Sequence, residues 1–362
     1  MNEHRAMNRR RFLQTASCAA GLAAGLGAQG AAVPENPAQT VLPRWRGFNL
    51  HYFFGTWNDG NPVEDDFRLI ADLGFNFVRI PMWYTLWVED GDVYKVKEPV
   101  LAQIDKTVEW GRKYGLHVCL NLHRAPGYCV AETPAEPFNL WKDQAALDAF
   151  CFHWDLFAKR YKEIPSKELS FNLINEPAKV NRDDHERVVR AAVKTIRETS
   201  PEPLVIADGL MWASSPMPEL KDLGIAQSCR GYQPHTLTHY KASWMPGADQ
   251  YPVPVWPNIE YMGQTWGREQ LERAYAPWGE IARQGIGVHC GECGSFNQTP
   301  HDVFLAWFRD VLEILTGYNI GYALWEFRGT FGILDSLRKD VTYENWNGHQ
   351  LDRKLLDLLL EF

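Results

Sequence analysis

The sequence predicts an α/β fold, a single (β/α)8 barrel of the TIM type, and two observations favour it. Short apolar runs suited to buried parallel strands alternate with longer amphipathic stretches suited to helices. Eight such strand–helix units fit in the 362 residues, which favours a closed barrel over an open doubly wound sheet. No GxGxxG segment follows a strand, so the dinucleotide-binding alternative lacks its motif. We expect one catalytic domain over residues 44–362.

Each predicted strand is a short run with strand-forming residues that ends at polar side chains. The eight are Gly47–Phe53, Phe75–Pro81, His117–His123, Leu169–Asn175, Leu204–Asp208, Arg230–Pro234, Gly287–Glu292 and Gly321–Phe327. The predicted helices between them are Asp65–Leu73, Val100–Tyr114, Gln144–Tyr161, Asp183–Thr199, Arg268–Gln284 and Asp302–Thr316, with a short helix around Pro218 and a last one over Leu351–Leu360. Catalytic residues of such barrels lie where strands end, so those ends are the place to seek a site.

The first 32 residues are predicted to be an export signal that is removed, not part of the fold. The segment Asn8–Gln14 resembles the twin-arginine box of bacterial signal peptides, and a weakly apolar stretch rich in Ala and Gly follows it. That stretch is too short and too weakly apolar to favour a retained membrane span. We expect a Pro-containing linker over residues 33–43, export to the periplasm or the extracellular space, and no membrane partner after cleavage.

Composition and charge exclude several classes of protein. Hydrophobic residues make up 45% of the chain and charged residues 23%, typical of a globular protein and unlike a disordered one. The formal net charge of −8 argues against a large phosphate-binding surface, so nucleic acid is not an expected partner. We expect a monomer.

Cysteine usage predicts neither a disulfide scaffold nor a metal site. Six of the seven cysteines lie beyond the predicted signal, an even number that permits disulfides in an oxidising compartment. Cys290 and Cys293 form a CxxC pair, but no second pair of ligands stands at zinc-site spacing. We expect small packed side chains inside a strand, and neither a metal nor another cofactor.

Two glutamates stand out at the predicted strand ends. Glu176 follows an apolar strand and precedes Pro177, so it lies where the strand must stop, and Glu292 ends the seventh strand. Either one alone could be part of a structural ion pair. Two carboxyl groups facing each other across a cleft suit glycosidic bond cleavage, because one protonates the leaving oxygen while the other attacks or assists attack at the sugar carbon. Their separation decides between retention and inversion, and the residues alone leave that choice open.

Further motifs stand in order on the predicted strands. They are Val78-Arg79-Ile80-Pro81, Asn121-Leu122-His123, Asn175-Glu176-Pro177, Glu292 and Trp325. Together they resemble glycoside hydrolase family 5, the large cellulase family of retaining β-glycosidases, over nearly the whole chain beyond the signal. The resemblance implies that Glu176 is the acid/base, that Glu292 is the nucleophile and that the reaction retains anomeric configuration.

The resemblance also implies roles for the neighbours of the glutamates. Asn175 and His123 resemble residues that hydrogen-bond the sugar at the cleavage subsite, and Trp325 resembles the platform on which that sugar stacks. Arg79 is expected to stabilise the Glu292 carboxylate through a charge-assisted hydrogen bond. Partial burial and the charge of Glu292 are expected to raise the pKa of Glu176, which must keep its proton.

One segment departs from the family pattern. Members often carry His-x-Tyr near the end of strand six, where this chain has Arg230-Gly231-Tyr232. Tyr232 matches the Tyr position, where it can hydrogen-bond the nucleophile, but Arg230 stands in the His position and is expected to alter the pH profile or the subsite. His235 and His239 lie just downstream, and the sequence leaves open whether either replaces the imidazole.

Aromatic residues are abundant, with 15 Trp, 14 Tyr and 18 Phe, and flat apolar side chains suit the CH faces of sugar rings. The tryptophans in or near loops after strands are candidates to contact sugar: Trp57, Trp83, Trp87, Trp141, Trp212, Trp244, Trp256 and Trp266. Those in predicted helices are expected in the core: Trp110, Trp154, Trp278 and Trp307. The long loop from Pro234 to Gly267 is expected to be functional.

The predicted function is therefore a retaining endo-β-1,4-glucanase whose partner is a β-linked polysaccharide or oligosaccharide. A β-mannanase, a β-1,3-glucanase or an exo-acting β-glucosidase would use the same machinery and differ only in loops and subsites. A non-catalytic carbohydrate-binding barrel is the alternative of another class. The presence of both glutamates together with Arg79 and Asn175 argues against it.

Overall fold

Eight parallel strands close into a barrel in the computed structural model, which describes residues 41–55, 60–200 and 202–362. The strands are β1 (Arg46–Asn49), β2 (Phe77–Trp83), β3 (His117–Ala125), β4 (Leu169–Asn172), β5 (Leu204–Asp208), β6 (Ala226–Gly231), β7 (Val288–Cys293) and β8 (Gly321–Leu324). Each pairs with its neighbours in the chain, and β1 also pairs with β8, which closes the barrel. The predicted (β/α)8 fold is confirmed.

Amphipathic helices follow most of these strands. The longer ones are α1 (Glu64–Asp72), α2 (Glu98–Tyr114), α3 (Gln144–Arg160), α4 (Arg182–Thr199), α5 (Arg268–Arg283), α6 (His301–Gly317) and α7 (Arg353–Glu361). In α4, His185, Val188, Ala192 and Ile196 recur on one buried face, and the side chain of Asn181 accepts a hydrogen bond from the first turn. Sequence periodicity and capping thus explain where this helix lies and where it begins.

Shorter elements lie outside the barrel. Three hairpins pair Val88–Glu89 with Asp92–Val96, Ile259–Tyr261 with Gln264–Trp266, and Glu344–Trp346 with His349–Leu351, while Tyr128–Cys129 pairs with the end of β3. Leu210–Ala213 and His235–Thr238 are single-turn helices, and Tyr84–Leu86, Pro218–Leu223 and Ala248–Gln250 are 3-10 helices. The predicted short helix around Pro218 is one of the 3-10 segments.

Several strand bounds differ from the prediction, and β6 differs most. It spans Ala226–Gly231, whereas the sequence predicted Arg230–Pro234. Its first half was missed because polar side chains occupy it, among them Gln227, whose amide exchanges two hydrogen bonds with the backbone of Met217. The strands β1, β4 and β8 end three or four residues before their predicted ends, so the residues expected at those ends lie in the first turn of each loop.

A β-bulge interrupts β7 just before Glu292. Cys290 pairs with Cys229 of β6, but the next pair is Glu292 with Arg230, which leaves Gly291 as an extra residue. A Cβ at Gly291 would lie 2.6 Å from the Ser228 hydroxyl, so the position requires glycine. The extra residue rotates Glu292 to the face of the strand that lines the barrel.

The base of the barrel interior, where the strands begin, is apolar and aromatic. The Trp45 ring stacks on His117 with ring centroids 3.8 Å apart, and Phe77 lies between the two histidines His117 and His289. Burial lowers the pKa of His117 to about 4 and that of His289 to about 3, so both are neutral at physiological pH. These side chains fill the barrel below the site.

Some predictions lie outside the described residues: the export signal, the linker up to residue 40, and Trp57. In the part of the chain that the structure does describe, no helix is long and apolar enough to cross a membrane. The six cysteines there carry free thiols, and Cys290 and Cys293 are buried within β7, as predicted.

Candidate active site

Glu176 and Glu292 bind the same guanidinium group. Arg230 donates through Nε to Glu176 Oε1 at 3.0 Å, and its Nη2 lies 3.3 Å from Glu292 Oε1. Glu176 stands four residues beyond the end of β4, and Glu292 lies within β7. The structure therefore brings together the two glutamates that the sequence singled out at opposite sides of the barrel mouth.

The Glu292 carboxylate is held by donors on both oxygens. Arg79 donates through Nη1 to Oε1 at 2.7 Å, and the Tyr232 hydroxyl donates to Oε2 at 3.1 Å. Only 3% of Glu292 is exposed, so these charge-assisted bonds form in a region from which water is largely excluded. The contacts expected of Arg79 and Tyr232 are both present.

Arg79 is fixed by three asparagines as well as by the glutamate. Its guanidinium donates to Asn49 Oδ1 at 2.9 Å, to Asn172 Oδ1 at 3.0 Å and to Asn175 Oδ1 at 2.8 Å. A buried guanidinium is stable when its donors are satisfied in this way. The sequence did not predict roles for Asn49 or Asn172. The available signal was the period-2 spacing of each asparagine from another polar residue on the inward face of its strand.

Glu176 lies in a strained backbone conformation that its neighbours maintain. Its φ is 47°, in the left-handed region, and its backbone N–H donates to Asp208 Oδ2 at 2.9 Å. The Tyr128 hydroxyl donates to the Glu176 carbonyl at 2.6 Å and accepts from the Ala178 N–H at 3.0 Å. Tyr128 could not be identified from sequence patterns, because this contact depends on the path of a loop after β3.

Burial raises the pKa of Glu176 from 4.5 to about 8, and the negative charges of Glu292 and Asp208 act in the same direction. The cations Arg230 and Arg79 oppose the rise without cancelling it. Glu176 therefore carries a proton at neutral pH. Two guanidinium groups contact Glu292, so the two carboxyl groups lie in different environments.

Asp208 completes the network from β5. Its carboxylate accepts from Arg230 Nη2 and from Asn172 Nδ2, the latter at 2.8 Å, and it is fully buried. Arg230 also donates to the Ser228 hydroxyl at 3.0 Å and to the Cys229 carbonyl at 3.1 Å. Among these groups, two guanidinium cations face three carboxyl groups, so one proton makes the network electrically neutral.

The sugar-binding residues predicted on other strands adjoin this network. Asn175 Nδ2 lies 3.3 Å from His123 Nε2, and Asn175 Oδ1 accepts from both guanidinium groups. Burial and the nearby cations lower the pKa of His123 well below its usual value, so this ring is neutral. Trp325 follows β8 with its ring 5.6 Å from that of His123 and 4.3 Å from that of His51, which forms an aromatic wall beside the glutamates.

Neither downstream histidine takes the place that Arg230 occupies. His235 is hydrogen-bonded to the Tyr261 hydroxyl at 3.0 Å, away from the glutamates. The ring of His239 packs edge-on against Tyr232 with ring centroids 5.3 Å apart, so it supports a residue that contacts Glu292. Burial lowers the pKa of both histidines, to about 4 and about 3.

The tryptophans predicted to contact sugar fall into three groups by exposure. Trp83, the last residue of β2, is buried, and so are Trp87 and Trp141, so the expectation that these three contact sugar is not supported. Trp256 and Trp266 are half-buried against the core. Trp212 and Trp244 remain 45% and 55% exposed in loops after β5 and β6. Of the helical tryptophans, Trp154, Trp278 and Trp307 are buried as predicted, and Trp110 is half-buried.

Trp212 is tied to the loop that carries Glu176. Three consecutive residues, Met211, Trp212 and Ala213, have φ values of 52°, 56° and 54°. These values lie in the left-handed region, which L-amino acids rarely adopt in succession. The Trp212 N–H donates to the Pro177 carbonyl at 3.2 Å, directly after Glu176. The strained turn therefore joins the backbone of an exposed tryptophan to the loop that carries Glu176.

Within the described ranges, no group of three or more His, Cys, Asp or Glu side chains is arranged to hold a metal ion. The polar groups that converge at the barrel mouth are instead bonded to one another. The arrangement offers the protonated carboxyl group of Glu176 and the carboxyl group of Glu292, which two guanidinium groups contact, beside an aromatic wall.

Comparison with known proteins points to the same chemistry. The family model for cellulase (glycosyl hydrolase family 5) matches residues 29–330. Endoglucanase C of Acetivibrio thermocellus is 28% identical over 314 residues, which cover 78% of this chain and 89% of the relative. Cellodextrinase A of Ruminococcus flavefaciens is 25% identical over 274 residues, covering 71% and 76%.

Among solved structures, a crystal structure described as that of a glycoside hydrolase superposes with a TM-score of 0.85 and 41% sequence identity. The match covers 88% of this chain and 99% of the solved one. The barrel and its loops are therefore similar along nearly the whole described length.

Proposed function

Because the chain belongs to glycosyl hydrolase family 5, we propose that it is a retaining endo-β-1,4-glucanase. The observation that carries this proposal is the pairing of a protonated Glu176 with a charged Glu292 on one guanidinium group. A proton donor and a carboxylate nucleophile held this close are the two groups that double displacement requires. Membership of a family of retaining enzymes supports the stereochemical outcome.

The first half of the reaction forms a covalent glycosyl-enzyme. A Glu292 oxygen attacks the anomeric carbon while the bond from that carbon to the leaving oxygen breaks, and Glu176 gives its proton to the leaving oxygen. Arg79 and Tyr232 hold the nucleophile, and Asn175 and His123 lie where they can bond the hydroxyls of the sugar under attack. Trp325 supplies a flat face for that sugar.

The second half returns the enzyme to its starting state. Glu176, now a carboxylate, takes a proton from water as the water oxygen attacks the anomeric carbon and the bond to Glu292 breaks. The sugar leaves with its original configuration because the carbon has been inverted twice.

The exposed indoles support a polymeric substrate. Trp212, beside the residue that protonates the leaving group, and Trp244 in the next loop each present a flat apolar face at the barrel mouth. The likeness to Endoglucanase C favours internal cleavage of a β-1,4-glucan. The likeness to Cellodextrinase A makes short oligosaccharides the second candidate.

The experiment is reducing-end release by the purified chain from carboxymethylcellulose, mixed-linkage β-glucan, mannan, xylan and laminarin, with Glu292→Gln as the blank. We expect hydrolysis of the first two, a rapid fall in viscosity, and a β-anomer as the first product by NMR. Cleavage of mannan or laminarin alone would reassign the substrate, and activity on short oligosaccharides alone would replace endo with exo attack. Inactivity on every substrate would favour a non-catalytic carbohydrate-binding barrel.

We also propose that residues 1–32 direct export by the twin-arginine route and that the exported chain acts as a monomer. The support is the arginine box at Arg9-Arg10-Arg11, followed by a weakly apolar stretch. Fusion of this segment to a reporter should place the reporter in the periplasm, and Arg9→Lys with Arg10→Lys should retain it in the cytoplasm. Light scattering of the purified chain should give the mass of one copy.

A further inference from the structure

Arg230 occupies a place in the charge network that Arg79 does not. Arg79 contacts one carboxylate, that of Glu292, and three asparagine oxygens, whereas Arg230 contacts Glu292, Glu176 and Asp208 at once. Only 3% of the Arg230 side chain is exposed, so few water molecules can compensate charge there. The guanidinium therefore lies between the two glutamates that exchange roles during the reaction.

Double displacement moves one negative charge between those glutamates. Before the first step Glu292 is charged and Glu176 carries a proton. After it, Glu292 is a neutral ester, and Glu176, which has given its proton to the leaving group, holds the charge. The total charge of the network with Asp208, Arg79 and Arg230 is zero in both states, but the position of the negative charge changes.

We propose that Arg230, held in place by Asp208, is a positioning residue that keeps a cation against this negative charge as it moves from Glu292 to Glu176 and back. The inference rests on the proposed double displacement. In the glycosyl-enzyme Arg79 has lost its anionic partner, and Arg230 is the guanidinium already bonded to the charged Glu176. That bond stabilises the carboxylate that must next accept a proton from water and fixes its direction.

The position of Arg230 on β6 explains how one guanidinium group contacts both glutamates. Arg230 lies opposite Glu292 across the β6–β7 ladder, at the bulge, and its Nε reaches over to Glu176 at 3.0 Å. An arginine stays charged at every working pH and donates in several fixed directions, so it can serve both carboxylates without gaining or losing a proton. A histidine in the same place would titrate within the working range.

Several charged or titratable groups surround Glu176, and each enters the expected pH response. They are Arg230 and Tyr232 from β6 and its loop, Glu292 from β7, Asp208 from β5, Arg79 from β2, His123 from β3, and Tyr128 and Cys129 from the hairpin after β3. His123 is neutral, and burial raises the pKa of Tyr128, Cys129 and Tyr232, so these four stay uncharged near neutral pH. The groups whose charge a substitution can change without removing a glutamate are Arg230, Asp208 and Arg79.

The first test separates the two halves of the reaction with 2,4-dinitrophenyl β-cellobioside, whose leaving group needs no proton. We expect Arg230→Gln to lower kcat by roughly 10- to 100-fold, the scale of one charge-assisted bond, while kcat/KM changes little. The slowed step is then hydrolysis of the glycosyl-enzyme, which should accumulate and appear as a mass increase of the intact protein. Arg230→Lys should restore much of kcat because it returns the cation.

The second test compares variants of the two members of one ion pair, Arg230 and Asp208. On cellotetraose, kcat/KM falls at high pH as Glu176 loses its proton, because only the protonated form can assist the leaving group. Loss of the cation in Arg230→Gln should move this fall to higher pH, and loss of the anion in Asp208→Asn should move it to lower pH, each by roughly one unit. Opposite shifts from two partners of one ion pair are not expected of a merely structural contact.

A buried arginine elsewhere provides the matched control. Arg338 is 3% exposed and donates to the carbonyls of Ser295 and Thr299, so Arg338→Gln removes a buried guanidinium outside the network. It should lower thermal stability without changing the ratio of kcat to kcat/KM. If Arg230→Gln unfolds, the charge-balanced double variant Arg230→Gln with Asp208→Asn should fold and still accumulate the intermediate.

The proposal is overturned if Arg230→Gln or the double variant lowers kcat and kcat/KM equally, with no accumulated intermediate, or if the single variants leave the high-pH fall unmoved. Both outcomes can occur in an enzyme that hydrolyses β-glucans with retention, so they leave the proposed function intact. A wild-type chain that cleaves none of the substrates, or that inverts configuration, would overturn the proposed function and this inference with it.

Discussion

Side chains are equally well buried at the two ends of the barrel, but the buried ionisable groups at the two ends have different partners. On β7, His289 near the base and Glu292 near the mouth are three residues apart, and both are almost fully buried. At the base, burial keeps the imidazole neutral, with a pKa of about 3. At the mouth, two guanidinium groups and a tyrosine hydroxyl bond to Glu292. Partners, not depth, therefore decide whether a buried group is charged.

The comparison also separates stability from function. Aromatic side chains that stack at the base, such as Trp45 on His117, lose little solvation free energy on burial, and their packing stabilises the fold. The ion network at the mouth costs solvation energy that its own contacts offset, so it adds little net stability but prepares the groups that react. Substitutions at the two ends should consequently have different kinds of effect.

The largest effect is expected from Glu292→Gln at the mouth. The amide keeps the shape of the side chain but cannot act as a nucleophile, so kcat on an aryl β-cellobioside should fall by roughly 10^4-fold or more. The melting temperature should stay within a few degrees of wild type because Glu176 can lose its proton and restore the neutrality of the network around Arg79 and Arg230. Turnover near the wild-type rate would show that another group is the nucleophile.

A smaller and selective loss is expected from Glu176→Ala. Hydrolysis of β-glucan, whose leaving group needs a proton, should slow by about 10^2- to 10^4-fold, the range for general acid catalysis. On a dinitrophenyl glycoside the first step should proceed almost normally, so a burst of dinitrophenol should precede slow turnover. Equal losses of kcat/KM, which reports the first step, on both substrates would contradict the acid role.

At the base, Trp45→Ala should act on stability alone. Removing a buried tryptophan leaves a cavity among His117, Phe77 and His289, and the free energy of unfolding in urea should fall by about 3–5 kcal/mol. The kcat of the molecules that remain folded should match wild type. Trp45→Phe, which fills part of the cavity, should lose less; a changed pH profile in either variant would show that the base influences the mouth.

The pH dependence of the wild-type enzyme should show the raised pKa of Glu176. The acid must be protonated to act, so kcat/KM on cellotetraose should fall by up to tenfold per pH unit above pH of about 8. The same shift affects folding: Glu176 stabilises the folded state below its unfolded pKa of 4.5, and this contribution is lost as pH rises through about 8. A high-pH fall that persists in Glu176→Gln would belong to another group.

The smallest effect at neutral pH is expected from His289→Met at the base. Neither ring nitrogen of His289 has a hydrogen-bond partner in the described structure, so an apolar side chain of similar size should change stability by less than about 1 kcal/mol at pH 7. The depressed pKa of His289 gives stability that is present above 6.5 and lost as pH falls towards 3. Wild type should therefore lose more stability than His289→Met in urea titrations between pH 6.5 and pH 4.

The sequence was sufficient for the fold and for placing Glu176 and Glu292 at the barrel mouth, because both follow from local patterns. The apolar run before Glu176 and the proline after it mark a strand end whatever the tertiary structure. The first half of β6 was missed for the converse reason: the inward face of that strand carries Ser228 and Arg230, and polar inward residues remove the apolar signal.

What the sequence could not supply are contacts set by the paths of loops. Trp87 and Trp212 both follow strands, yet the first is fully buried and the second is exposed on a strained turn. Arg230 was noticed as an unusual residue, but its simultaneous contacts with Glu176 and Asp208 join three strands whose register only the closed barrel fixes. Which residues meet across the barrel depends on the closed sheet and cannot be predicted from the sequence of one segment.

The bulge in β7 has a consequence for protein engineering. If Gly291 took a regular place in the ladder, the alternation of side chains would turn Glu292 away from the barrel lumen, although the strand itself would still pair with its neighbours. A designer who grafts this constellation onto another scaffold must therefore transfer a backbone irregularity along with the side chains. The spacing between Cys290 and Glu292 in the grafted sequence is correct only if the bulge forms at the glycine between them.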